Sequence, residues 1–135
     1  MHTISLHKPG NARAMVIAKN AAVADSFLSR LLGLMFRPEF GRIDALALSP
    51  CTSIHTFFMR FAIDAVFTDT HHCVVDCTQN IRPWKWVFPR RGARHTIELP
   101  AGTVRAHNIK IGDIMTWNNS DETRHNQRRI RTKAF

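Results

Sequence analysis

No stretch of this 135-residue chain approaches the roughly 18 consecutive apolar residues that a membrane span requires. The opening segment, MHTISLHKPGNARA, lacks the continuous apolar core of a secretory signal peptide. The expected location is therefore cytoplasmic, or extracytoplasmic if the chain is a trimmed form. Cysteine is scarce and odd in number: Cys51, Cys73 and Cys77 cannot all pair within one chain, which favours reduced thiols over a disulfide scaffold. Internal repeats are absent. Acidic residues are few, 10 against 19 Lys and Arg, for a formal charge of +9. Residues 118–135 carry +3 of this, with five basic side chains against Asp121 and Glu122. An excess of this size favours association with polyanions or anionic surfaces and serves solubility equally well.

What is present suits one globular domain: 44% hydrophobic and 21% charged residues, enough for a single core. Residues 1–14 read as a flexible lead-in with a turn at Pro9-Gly10. Residues 15–117 read as a single β-rich domain. Residues 118–135, basic and without apolar pattern, read as a disordered tail. Inside the domain AMVIA (14–18) is a strand. A helix capped by Asp25 or Ser26 follows, with Phe27, Leu31, Leu34 and Met35 at helical spacing and Pro38 as its limit. IDALALS (43–49), the hairpin 64–78, HTIEL (95–99) and IMTW (114–117) are further strands. RPWKWVFPRRG, bracketed by Pro83 and Pro89, is a loop or an edge strand. Short strands with a turn every ten or so residues predict a mostly β fold: a compact antiparallel sandwich or barrel-like domain with one short N-terminal helix.

The stretch SIHTFFMRFAIDAVFTD (53–69) reads as core strand, yet it carries His55, Arg60, Asp64 and Asp69. Ionisable groups in an apolar run are costly to bury unless paired. In one straight strand, His55, Phe57, Met59, Phe61, Ile63, Ala65 and Phe67 share a core face. Arg60 and Asp64 then share the other, about 13 Å apart. A turn or bulge at Phe61-Ala62 brings them together, so the simplest expectation is an ion pair that fixes a chain reversal. The sharper one is a pocket lined by Arg60 and Asp64, with His55 at its rim and Glu98 arriving from a neighbouring strand. Asp69 and Asp113 read as turn formers.

HHCVVDC (71–77) invites a metal reading, but Cys73 and Cys77 on an extended strand are about 13 Å apart, too far for one zinc ion. Buried thiols explain the pattern, and no metal is assigned. Cys51 reads first as a small buried hydrophobe; a nucleophilic pair with His55 is the alternative. RPWKWVFPRRGAR (82–94) holds five basic residues, no acidic one, and Trp84, Trp86 and Phe88 at alternate positions. Aromatics covering an open end of the core explain it; anionic-ligand or single-stranded nucleic-acid binding explains it too.

In this order, RLLGLMFR, IHTFFMRFAIDAVFTD, RPW, GARHTIELPAG and IGD resemble the prokaryotic family known as domain of unknown function 192, over roughly residues 15–117. The resemblance implies a compact β domain with a short helix near its start, and supplies no activity, cofactor or catalytic residue. Ala62 stands where the family often has Pro, and the export signal that many members carry is missing. The function expected is a small binding or accessory module rather than an enzyme, with no cofactor. Its candidate anionic-ligand site is formed by His55, Arg60, Asp64 and Glu98, with Trp84, Trp86 and Arg91 as a lip. The alternatives are a small hydrolase using His55 with Asp64 or Cys51, and a polyanion or nucleic-acid binder acting through 82–94 and the tail.

Overall fold

The computed structural model describes residues 2–25, 34, 37 and 39–119. Apart from Leu34 and Arg37, the segment in which a helix is expected after Asp25 lies outside the described residues, as does the chain beyond Asn119. Among the described residues nine strands follow in order: β1 His2–His7, β2 Met15–Ala24, β3 Ala45–Leu48, β4 Ile54–His55, β5 Ile63–Thr68, β6 Val74–Ile81, β7 Trp86–Val87, β8 His95–Pro100 and β9 Ile114–Asn119. A short helix, α1 (Thr103–Ala106), lies between β8 and β9. The protein is mostly β, as its turn spacing predicts.

Seven strands form one sheet in the order β6-β5-β8-β3-β2-β1-β9, and β4 pairs with β7 in a small second sheet. Every junction of the large sheet is antiparallel except β2–β3. The sheet coils until its two edges touch at one end. There Cys73 bridges Ile114, the Val74 N–H donates to the Asp113 carbonyl and the Met115 N–H to that of His72. It does not close along its length, so the architecture is a strongly coiled open sheet rather than a barrel.

This coil gives the sheet two buried faces. Ile4, Leu6, Val66, Ile97, Leu99, Val104 and Met115 fill the inner one. Leu46, Leu48, Ile63, Ala65 and Phe67 face the other, where Phe40, Ile43, Ile54 and Val87 cover them. Central strands buried on both sides read as continuous apolar runs, not alternating ones, which is why ALAL and IDAVFT look alike in the sequence. Residues 1–14, expected as a flexible lead, instead contain β1, paired on one side with β2 and on the other with β9. Ile4 and Leu6 are fully buried; alternation in HTISLH was the available signal, and its closeness to the terminus obscured it.

The run 53–69 is not one strand. After β4 the chain turns at Phe57–Met59, and β5 begins only at Ile63. The expected Arg60–Asp64 pair is not formed: Arg60 is exposed, and the ion pairs among the described residues are Lys8–Asp113 and Arg90–Asp76. Asp64 is fully buried and is satisfied by backbone. Its Oδ1 accepts the Asn80 N–H at 2.9 Å, and its Oδ2 accepts those of Gly102 at 3.1 Å and Val104 at 2.9 Å. The first amides of a helix have no partner within it, and the register shift between Ile63 and Ala65 displaces the Asn80 N–H from the β5–β6 ladder. One carboxylate serves both needs. At the hairpin tip, Asp69 Oδ1 accepts the His71 and Cys73 N–H groups at 2.8 and 3.0 Å, the turn role expected of it.

Asp64→Ala takes the acceptor from three backbone amides, those of Asn80, Gly102 and Val104. It is expected to lower stability by about 3 kcal/mol, read from urea unfolding; a change within error would contradict this role.

Candidate functional site

The second sheet is small because it does one local job, holding two loops side by side. Ile54 pairs with Val87 and His55 with Trp86. Ile54 and Val87 point into the core, so His55 and Trp86 share the outward face. Between these strands the loops are joined by Thr56, which is fully buried. Its hydroxyl donates to the Arg82 carbonyl at 2.6 Å and accepts the Lys85 N–H at 2.9 Å. Its own N–H donates to the Lys85 carbonyl at 2.8 Å, and its carbonyl accepts the Trp84 N–H at 2.9 Å.

So clamped, the loops display aromatic rings. His55 stacks on Phe57 at 5.3 Å, Phe57 stands 6.2 Å from both Trp84 and Trp86, and Phe58 lies 4.7 Å from Trp84. Phe58 is 47% exposed, Trp86 55%, Trp84 59% and Phe88 71%. Phe58 and Trp84 have φ of 61° and 66°, a left-handed conformation that costs a bulky residue about 1–2 kcal/mol. Of the core face expected over 57 to 61, Met59 is buried and Phe61 packs partly buried against the core, 5.2 Å from Phe40, whereas Phe57 joins the ring cluster. The turn rotates Phe58 outward, a signal absent from strand periodicity.

The cations within and next to these two loops divide into two kinds. Arg90 is tied down: its guanidinium pairs with Asp76 at 2.8 Å, donates to Thr78 Oγ1 at 3.3 Å and lies 5.7 Å from the Phe67 ring. Arg60, Arg82, Lys85 and Arg91 are exposed and have no acidic partner among the described residues. Beside Trp86 opens a cleft of about 360 Å³ between the end of β6 and the 82–90 segment.

Of the residues expected to form the site, His55, Trp84 and Trp86 come together. Asp64 and Glu98 do not join them or each other. Asp64 pairs across the sheet with Leu99, on the inner face, whereas Glu98 pairs with Ala65 and Leu46, on the other. Glu98 is 5% exposed, its Oε2 has no hydrogen-bond partner, and burial pushes its pKa up to about 8. His55 Nδ1 accepts the Phe57 N–H at 3.2 Å, and the Cys51 thiol donates to the Ser53 carbonyl at 3.0 Å. Burial, with Asp76 adjoining, pushes the Cys77 thiol up to about 11, which leaves it protonated at neutral pH. Among the described residues no group of three or more His, Cys, Asp or Glu is placed to hold a metal, and no helix is long and apolar enough to cross a membrane.

Residues 9–117 match the model of domain of unknown function 192, described as an uncharacterized ACR. The chain belongs to that family. It is 41% identical to a UPF0127 protein of Pyrococcus furiosus over 98 residues, covering 70% of this chain and 84% of the relative. It is 38% identical to a UPF0127 protein of Thermococcus sibiricus over 104 residues, covering 74% of this chain and 67% of the relative. In fold it is similar to a crystal structure of a protein of unknown function from Novosphingobium aromaticivorans, at 20% identity with a TM-score of 0.72 over 85% of this chain and 84% of that one. A putative transcription regulator from Sinorhizobium meliloti is similar at 16% identity and a TM-score of 0.72, over 87% of this chain and 94% of that one. At such identities these two likenesses concern the fold alone.

Two measurements probe this family member's loops and interior. Thr56→Val removes a hydroxyl that both donates and accepts. It is expected to cost about 2 kcal/mol and to speed hydrogen exchange at the Lys85 amide; unchanged protection there contradicts the clamp. For Glu98 the folded pKa, about 8, lies above the ordinary 4.5. The folded state therefore keeps a proton that the unfolded state releases. Its stabilising contribution is complete below pH 4.5 and is lost as pH rises toward 8, at up to about 1.4 kcal/mol per pH unit. Glu98→Gln is expected to flatten this slope in urea melts between those limits, and an unaltered slope refutes the assignment.

Proposed function

We propose that this protein is a small binding module for an anionic ligand, engaged by the surface that residues 55–60 and 82–91 display. The supporting observation is a juxtaposition: Phe58, Trp84, Trp86 and Phe88 are roughly half exposed or more, among cations with no acidic partner within the described residues. Contiguous exposed apolar surface is uncommon on a solitary domain and marks sites of interaction. Here it is held open by the Thr56 clamp rather than left over from imperfect packing.

The site is thus shifted from the one expected. Arg60 belongs to its rim, two residues beyond Phe58; Arg91, Trp84 and Trp86 stay, Arg82 and Lys85 join, and the two buried carboxylates leave. The hydrolase alternative has weaker support. Asp64 offers no exposed surface and both its oxygens accept backbone N–H groups, so it lies out of reach of a substrate held beside His55.

Heparin affinity chromatography of the full chain tests the reading. Replacing Arg82, Lys85 and Arg91 together by Gln is expected to lower the eluting salt concentration and to flatten the log–log salt dependence by about 2, with the circular dichroism spectrum unchanged. Elution identical to that of the parent chain overturns it.

A further inference from the structure

We infer that the anionic ligand is single-stranded nucleic acid, with one nucleotide seated in the cleft beside Trp86; the inference rests on the anion-binding reading above. The cleft combines three chemistries. Trp86 supplies a ring face, Thr78, Gln79 and Asn80 supply hydroxyl and amide groups, and Arg82 and Lys85 supply cations. A nucleotide presents the complement of each: a flat base, polar base edges and a phosphate. At about 360 Å³ the cleft lies at the small end of ligand sites, suited to one such unit rather than to a folded partner.

The rings beyond it continue the pattern. Trp84 and Trp86 stand at 45–58° to the Phe57 and Phe58 rings beside them and are 59% and 55% exposed, so each indole presents ring surface to solvent. Two exposed indoles on one surface, with the exposed Lys85 between them in the chain, suit successive unstacked bases along a strand. A lipid headgroup layer would use the ring tips and the cations but has no use for an amide-lined cleft. The sequence pI of about 10.8 falls in the range of nucleic-acid-binding domains.

The test is fluorescence anisotropy of a short labelled oligothymidylate with the full-length protein. A heparin oligosaccharide of equal charge and phosphatidylserine vesicles are run as parallel probes. The oligomer is expected to bind more tightly than the heparin fragment. Trp86→Leu is expected to weaken it by about fivefold or more, the lower end of a stacking contribution, and Trp86→Phe by no more than about twofold. Arg82→Gln with Lys85→Gln is expected to reduce the salt slope by about 1.4. If heparin binds as tightly as the oligomer and Trp86→Leu leaves oligomer affinity unchanged, nucleic-acid recognition is overturned while anion binding stands. Binding to vesicles without binding to the oligomer overturns it in favour of a membrane surface. Failure of all three probes to bind overturns both readings.

Discussion

The carboxylate of Asp64 is the constraint around which the rest of the fold is arranged. It is fully buried with no cation partner among the described residues, and three backbone amides, from Asn80, Gly102 and Val104, are its counterpart. A buried charge is tolerable only when its oxygens are satisfied, so the end of β6 and the turn into α1 must both reach β5. That requirement ties the hairpin β5–β6 to the segment after β8 and helps hold the sheet in its coil. It also explains why the chain breaks before Ile63: the strand has to begin where its second residue can meet those amides.

On the outer side of this anchored hairpin the opposite economy holds. Thr56 spends its hydroxyl and backbone on bonds within the loops, and aromatic surface that a core would accept is turned toward water. Two bulky residues, Phe58 and Trp84, adopt left-handed backbone to stand there. Backbone strain of this kind persists only where the surrounding structure holds it, and here the buried Thr56 bonds do so. The partition of the arginines agrees: Arg90 fastens the segment to β6 through Asp76 and Thr78, and its neighbour Arg91 remains exposed. The buried acid Glu98 belongs to neither system. It sits on the sheet face opposite Asp64, held neutral at moderate pH by burial.

Much of the strand inventory was legible in the residues. IDALALS, the 64–78 hairpin, HTIEL and IMTW all correspond to strands, because short apolar runs bounded by turn residues are a local property. Asp69 was legible for the same reason, since an Asx turn needs only its own neighbours. The strand at 2–7 is harder to read: its alternation is short and lies at the terminus, and one of its two partners, β9, is more than a hundred residues away. The Arg60–Asp64 pairing was misjudged on similar grounds. Spacing along the chain says how far apart two groups are if the backbone is straight, and nothing about which amides a third segment delivers.

Composition and local pattern alone determined a mostly β domain, a positively charged surface, and the presence of three aromatic residues interleaved with cations at 82–91. Only the tertiary structure decided which of those aromatics face water, that the two interesting carboxylates lie on opposite faces of one sheet, and that Phe58 joins the rings from 82–88. The physical reason is that face and exposure are set by register and by long-range hydrogen bonds. A single bulge at Asp64 or a single hydroxyl at Thr56 reassigns them without leaving a trace in the periodicity of the sequence.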